Sequence, residues 1–328
     1  MTDPIQKILL IGAGGIGSRH LQGLKRSTIP IEIGIVDPSK SSLEIAKGRY
    51  NEVENNEKIK EINYYSNLED VSSKIDLAIV ATTSEVRGNV IKELLKNKVV
   101  NNLVLEKVLF QTIDEYIEIE ELLQLKNVKC WVNHPRRMHP FYVDLKQKLK
   151  DTNQLSFNLQ GGDWGLACNA LHYIDLLAYL VNGQKLELNN EFLDGQIYSS
   201  KREGFKEVNG LLIGKVGNHV FTLYCQENNA PMVLSIISDD MIVKINEVDG
   251  KVIYYENRKG WKEEEISQKI EYYQSELTHL LIEDILLIGK CDLTTYSQAK
   301  EFHVPFIKCI KEHFEKISGV IQNSCQIT

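Results

Sequence analysis

The sequence predicts a two-domain α/β protein: an open parallel sheet covered by helices, followed by a half built on an antiparallel sheet. Three observations predict it. The chain has 328 residues, about twice the usual length of one domain. Its first 130 residues alternate short, nearly continuous apolar runs with helical patterns, as a parallel sheet buried on both faces requires. After about residue 150 short strands follow one another across turn signals, as antiparallel neighbours do.

Taken in order, Lys7–Ile11 (KILLI) is an apolar run stopped by glycines, and residues 16–26 have helical spacing. Ile31–Val36 (IEIGIV) is a second strand and 39–50 a second helix. Glu61–Tyr65 is a weak third strand, and Asp76–Ala81 (DLAIVA) a strong fourth. A helix at 85–97, a strand at Asn102–Leu105, a helix at 112–126 and a strand at Lys129–Val132 complete the first half. Residues 169–181 read as a helix. Strands follow at 208–216, 219–226, 232–238, 241–246 and 251–256, with Asn218 and Asp249-Gly250 as turn signals. Helices at 272–289 and 296–317 end the chain.

The composition, 43% hydrophobic and 25% charged, is that of an ordinary soluble globular protein. With 38 Lys+Arg against 45 Asp+Glu the formal charge is −7, and no long basic block is present. Nucleic-acid partners and anionic membrane surfaces both need dense positive charge, so neither is expected. The six cysteines (Cys130, Cys168, Cys225, Cys291, Cys309, Cys325) are scattered without a CxxC pair, which reads as reduced thiols in a cytoplasmic protein. Neither a signal peptide nor an apolar stretch of membrane-spanning length is read from the sequence. Cys130, His134, His139, Cys168 and His172 match no compact zinc spacing, so no metal is expected.

Gly12-Ala13-Gly14-Gly15-Ile16-Gly17 matches GxGxxG, and its context agrees: a strand before, a helix after, and Asp37 ending the next strand twenty residues beyond Gly17. Gly12 allows the tight turn, Gly14 lets the backbone approach a pyrophosphate, and Gly17 lets helix pack on strand. Gly15 and Ile16 open the helix, whose free N–H groups and partial positive charge suit the phosphates. These features define a Rossmann dinucleotide site, with an ordinary βα turn as the plainer alternative. Asp37 can accept both hydroxyls of an adenosine ribose and repels a 2′-phosphate, so NAD is the expected cofactor. Ser39, Lys40 and Ser41 lie close enough to leave NADP open. Thr82 and Thr83 end the fourth strand, at the sheet edge where the far half of a cofactor sits.

Leu105-Glu106-Lys107-Val108 ends the fifth strand, HPRRMHP follows the sixth, and His172 and Asp175 lie in CNALHYIDLLAYL. With the glycine loop, these segments resemble the glucose–fructose oxidoreductase, inositol dehydrogenase and MocA (Gfo/Idh/MocA) family over nearly the whole chain. The resemblance implies a Rossmann domain, here residues 1–130. It also implies a substrate-binding α+β domain with a large, open, mostly antiparallel sheet, here 131–328, with the C-terminal helix packing back on the first domain. It further implies hydride transfer between a nicotinamide and a small sugar-like alcohol or ketone, and a homo-oligomer formed through the second-domain sheet. Carried over, the family's Glu-Lys-Pro motif makes Glu106 a neighbour of the cofactor and sets Lys107 beside the nicotinamide and the reacting hydroxyl. The family's acid/base histidine, four residues after an aspartate, is His172. Val108 stands where the family has proline, and Cys168 where it has that aspartate. Without the carboxylate the imidazolium form is less supported, which shifts proton transfer towards Lys107. Asn169, three residues before His172 on the same helical face, can orient a substrate or the ring but cannot take a proton.

The remaining candidates concern the substrate. Arg136 and Arg137 can clamp a carboxylate or phosphate, or simply start a solvated helix; Asn133 beside them can bond a sugar hydroxyl. Asp163 and Trp164, in GGDWG, offer a sugar platform or a core tryptophan. With Asp175 these residues point to a sugar, sugar acid or nucleotide sugar, and the WVNHPRR and CNALHYID segments resemble those of surface-glycan sugar biosynthesis. Two rivals remain: a reductase of a non-sugar ketone or imine, and a cofactor-binding regulator without turnover, which Cys168 favours.

Overall fold

The computed structural model describes residues 4–328, which divide into two compact units. One comprises the chain to Phe110, Asp114–Pro135 and Tyr272–Tyr296. The other comprises Gln111–Ile113, Arg136–Glu271 and Ser297–Thr328. Residues 272–296, expected in the second domain, therefore cluster with the first.

The first unit contains β1 (Gln6–Ile11), α1 (Gly15–Leu24), β2 (Ile31–Val36), α2 (Lys40–Asn51), β3 (Ile59–Tyr65), β4 (Lys74–Val80), α3 (Ser84–Asn97), β5 (Val99–Leu105), α4 (Ile113–Leu125) and β6 (Lys129–Val132). The strands pair in parallel in the order β3-β2-β1-β4-β5-β6. Their apolar runs are buried on both faces: Leu9, Leu10, Ile33, Leu77, Ile79 and Val104 are all in the core. The chain order reverses between β1 and β4, so the connections leave their carboxyl ends in opposite directions and open a crevice there.

The second unit begins with α5 (Pro140–Lys148), β7 (Leu155–Gly162), α6 (Leu166–Val181), β8 (Leu186–Leu193), β9 (Tyr198–Ser199) and β10 (Lys206–Glu207). It continues with β11 (Gly210–Val216), β12 (His219–Gln226), β13 (Val233–Ser238), β14 (Met241–Asn246), β15 (Lys251–Glu256) and β16 (Glu263–Ser267). Eight strands form one open sheet in the order β16-β15-β14-β13-β7-β12-β11-β8, antiparallel except between β7 and β12. Alternation sends Phe157, Leu159, Leu212, Phe221, Leu223, Leu234 and Val243 to the buried face. α6 is apolar almost throughout and packs against β11 and β12.

Three elements follow. α7 (Gln274–Glu283) widens into a π turn at Asp284–Ile288, so the helix expected over 272–289 changes register within that range. β17 (Thr294–Thr295) adds an antiparallel edge strand to β6, and α8 (Tyr296–Ser318) is the last helix. The sequence reading missed α5, β7, β8, β16 and the two-residue strands β9, β10 and β17, and started α6 three residues late, at 169. Among the described residues no helix is long and apolar enough to cross a membrane.

Candidate active site

The glycine loop lies at the reversal between β1 and β4. Gly12 has φ +94, and a Cβ there would come within 2.9 Å of the Ala81 backbone. A Cβ on Gly17 would lie 1.8 Å from the Gly12 carbonyl oxygen, so α1 can start against the turn only with glycine there. At Gly14 and Gly15 a Cβ would meet nothing within 4 Å. The N-cap of α1 makes no side-chain cap bond and its first turn holds no acidic residue, which leaves that end of the helix suited to an anion. Asp37 spans the loop: Oδ2 accepts the Ala13 N–H (2.7 Å) and Oδ1 the Ser39 N–H (2.8 Å). A cavity of about 710 Å³ opens there, lined among others by Gly12, Gly14, Asp37, Thr82 and Thr83. Thr82 Oγ1 is buried with no hydrogen-bond partner, an acceptor and donor left for a ligand. Gly15 and Ile16, at the first turn of α1, are not among the lining residues. An open cradle over Gly14, a carboxylate at ribose distance along the chain and an unanswered hydroxyl fit a dinucleotide.

At the end of β5, Glu106 is buried in a closed polar network. His20 Nε2 lies 2.9 Å from Glu106 Oε1, and Asn133 Nδ2 donates to the same oxygen. Asn133 Nδ2 also reaches Gln274 Oε1 (2.8 Å), Gln274 Nε2 reaches Thr278 Oγ1 (3.0 Å), and His20 Nδ1 lies 3.0 Å from that same hydroxyl. Burial pushes the Glu106 pKa up, but the bonds from His20 and Asn133 and the nearby Lys107 charge outweigh it and lower it. The carboxylate expected near the cofactor is thus engaged by His20 and Asn133, and Glu106 is absent from the cavity lining. Asn133 Oδ1 is buried and without a partner. Lys107 follows, half-buried, and the Lys107–Val108 peptide is cis. Sequence reasoning gave His20 no role. Its signal was present: it sits three residues after Gly17 on the buried stripe of α1 with Leu21 and Leu24.

In the second unit His172 is half-buried on α6, one turn after Cys168. The Glu207 carboxylate accepts the Cys168 N–H (3.0 and 3.4 Å to its two oxygens), so a carboxylate from β10 caps this helix near the position where the family's aspartate was expected. Burial raises the Glu207 pKa against the opposing effect of the bonds it accepts at Cys168. No local sequence signal marked Glu207.

Five substrate candidates are otherwise engaged. Arg136 donates from Nε and Nη2 to both oxygens of Glu247 (2.8 and 2.6 Å) and lies 4.3 Å over the Tyr173 ring. Tyr142 and Tyr173 add hydroxyl donors to Glu247. Burial acts to raise the Glu247 pKa, but the Arg136 charge and these bonds bring it down to about 2. Arg137 donates its fork to Asp175, at 2.8 Å for each bond, and Asp175 is 2% exposed. The arginines expected as an anion clamp thus have both forks engaged by carboxylates of their own unit, the buried Asp175 and the half-buried Glu247. Trp164 is a core residue, donating Nε1–H to the Tyr224 carbonyl (2.9 Å) and meeting Tyr173 edge to face. Asn169 donates to the Trp164 carbonyl (2.7 Å), which ties α6 to the preceding loop. Asp163 is exposed, with φ +44. Among the described residues no group of three or more His, Cys, Asp or Glu is placed to hold a metal.

This fold and loop define a Rossmann-type NAD-binding domain joined to a unit with a large, mostly antiparallel sheet. Residues 6–134 match the family model described as oxidoreductase family, NAD-binding Rossmann fold. This match agrees with the resemblance to the Gfo/Idh/MocA family read from the sequence, over the dinucleotide-binding part of the chain. Among solved structures the chain is similar to UDP-N-acetylglucosamine 3-dehydrogenase GnnA from Acidithiobacillus ferrooxidans, at 11% identity and TM-score 0.71, over 94% of this chain and 97% of that one. It is similar to an oxidoreductase from Agrobacterium radiobacter solved with NAD+, L-tartaric acid and magnesium, at 11% identity and TM-score 0.70, over 95% and 96%. It is equally similar to a super-repressor mutant of Gal80p from Saccharomyces cerevisiae, at 16% identity and TM-score 0.71, over 95% and 97%. At these identities the likeness concerns the fold. No curated protein sequence matches the chain.

Proposed function

We propose that the chain is an NAD-preferring dehydrogenase or reductase of a sugar-like alcohol or ketone, with a sugar acid or nucleotide sugar as the favoured class. The observation that carries this reading is Asp37, bonded to the glycine loop at Ala13 and lining the same cavity as Gly14 and the unpartnered Thr82 hydroxyl. The loop and α1 hold the pyrophosphate, and Asp37 takes the ribose hydroxyls, exchanging its backbone bonds for them. A nicotinamide supplies the hydride chemistry. The protein then has to move one proton at the substrate oxygen. Lys107, at the end of β5 beside β4, is assigned that proton, with Glu106 and His20 holding the strand end. His172 is the second candidate for it.

Calorimetry with NADH and NADPH tests the cofactor half, and absorbance at 340 nm with sugars, sugar acids and nucleotide sugars tests the reaction. Tighter NADPH binding would overturn the NAD preference. One observation favours a second reading, a regulator that binds the cofactor without turnover: Cys168 stands in the aspartate's place, and Gal80p, described as a transcriptional regulator, has this fold. Binding without turnover across the panel would favour it. The homo-oligomer through the second-unit sheet is part of the proposal. Val220 and Ile237, on strands flanking β7 and both paired with Ser156, are exposed on one face of that sheet. Sedimentation at micromolar concentration tests it.

A further inference from the structure

The buried stripe of α3 runs Ser84, Arg87, Gly88, Ile91, Leu94 and Leu95. Arg87 is 1% exposed, and burying a guanidinium is costly unless hydrogen bonds compensate it. Its two Nη groups reach backbone carbonyls on two separate segments. Nη2 donates to the Thr82 carbonyl, and Nη1 to the carbonyls of Val108 and, at 2.9 Å, Leu109. The ladder between β4 and β5 ends at Val80 and Leu105, with Glu106 N–H to the Val80 carbonyl (3.1 Å) as a last rung. Past that rung the chains go different ways. One turns into α3 through Thr82 and Thr83, which line the cavity; the other runs on through Lys107. Arg87 reaches across this divergence. Its planar fork fixes the spacing between the cavity wall and the backbone next to Lys107, which a flexible point charge would not do.

We propose that Arg87 is the positioning residue for Lys107, clamping the segment after β5 to the β4–α3 turn. Its consequence for catalysis rests on the reading of Lys107 as the proton-transfer group; the clamp itself does not. A group displaced by about 1 Å from its working position loses on the order of 100-fold in rate, so such a tie is worth a buried charge.

The test is backbone hydrogen exchange of the full chain by mass spectrometry, on Arg87→Met, which keeps an apolar stem and removes the donors. Peptides covering residues 106–110 are expected to exchange ~10-fold faster, while those of β1 and β2 keep their rates. Arg87→Lys is the second variant. It retains the charge, but one ammonium does not span both segments, so a smaller local acceleration of ~3-fold is expected. Unchanged exchange at 106–110 in either folded variant overturns the clamp. Acceleration spread over the whole unit overturns it too, since Arg87 would then be a core residue only. With a substrate from the panel, kcat should fall ~10- to 100-fold while the cofactor KM stays within about 3-fold. Failure of NADH to bind the native chain would sink the functional reading, and the exchange result would still judge the clamp.

Discussion

Gly14 and Gly17 stand three positions apart in one loop, yet their missing side chains answer to different things. A methyl on Gly17 collides with the Gly12 carbonyl at 1.8 Å, whereas one on Gly14 meets nothing in the protein. Gly17→Ala should therefore lower the melting temperature of the chain. Gly14→Val should leave that temperature within a degree or so while abolishing NADH binding, because its side chain fills the pyrophosphate's place. Unchanged affinity in a folded Gly14→Val chain would move the cofactor away from this loop. Asp37→Ala should bring NADH and NADPH affinities together, by removing the ribose acceptor and the repulsion of a 2′-phosphate at once. For Lys107, replacement by alanine should reduce kcat by ~10²–10⁴ with NADH affinity little changed. Lys107→Arg should not restore it, since a guanidinium holds its proton at neutral pH. A larger loss from His172→Ala than from Lys107→Ala would reverse the ranking of the two.

Between elements, the most consequential contacts of the second unit are carboxylates that join distant segments. Glu247, after β14, receives Arg136, Tyr142 of α5 and Tyr173 of α6. Its pKa falls from the ordinary 4.5 to about 2, so its stabilisation is fully present above 4.5 and is lost as pH drops from about 4.5 towards 2. Glu247→Gln leaves the Arg136 charge buried without its carboxylate and should destabilise by ~3 kcal/mol at neutral pH. In urea titrations the gap to the native chain should close near pH 2. A gap as wide at pH 2 as at pH 7 would mean that Glu247 is not the titrating group. The same contact explains why the sequence leaves the partner of Arg136 open between a substrate anion and solvent. Arg136 meets its partner 111 positions along the chain, and no local pattern announces that pairing. The glycine loop was legible because its strand, turn, helix and distal Asp37 carry cues within one βαβ stretch. β7 was not, although Leu155, Phe157 and Leu159 alternate inward: its neighbours are β12 and β13, joined to it by no hairpin turn. β8 and β16, at the sheet edges, alternate weakly, and α5 is only nine residues long.

At the scale of the whole molecule, the unit that carries the glycine loop is not continuous in sequence. Its six parallel strands are complete by Val132, yet residues 272–296 return to it with α7 and the edge strand β17. The fit of α1 to α7 is close: a Cβ on Gly23 would lie 2.7 Å from the Thr278 Cβ, and the Thr278 hydroxyl meets His20. α7 also buries Leu277, Leu281 and Ile282. At ~1.5–3 kcal/mol for each such side chain, removing the helix forfeits an amount comparable with a domain's whole net stability. It also leaves His20 and Glu106 without the hydroxyl and amide that close their network. A fragment ending at residue 135 should therefore unfold without a cooperative transition and bind NADH at least tenfold more weakly than the full chain. Joining residues 272–296 to it through a Gly/Ser linker should restore both properties, because the linker has only to return the helix to α1. If the fragment ending at 135 melts cooperatively with the NADH affinity of the full chain, α7 is an appendage, and the placing of Lys107 owes nothing to it.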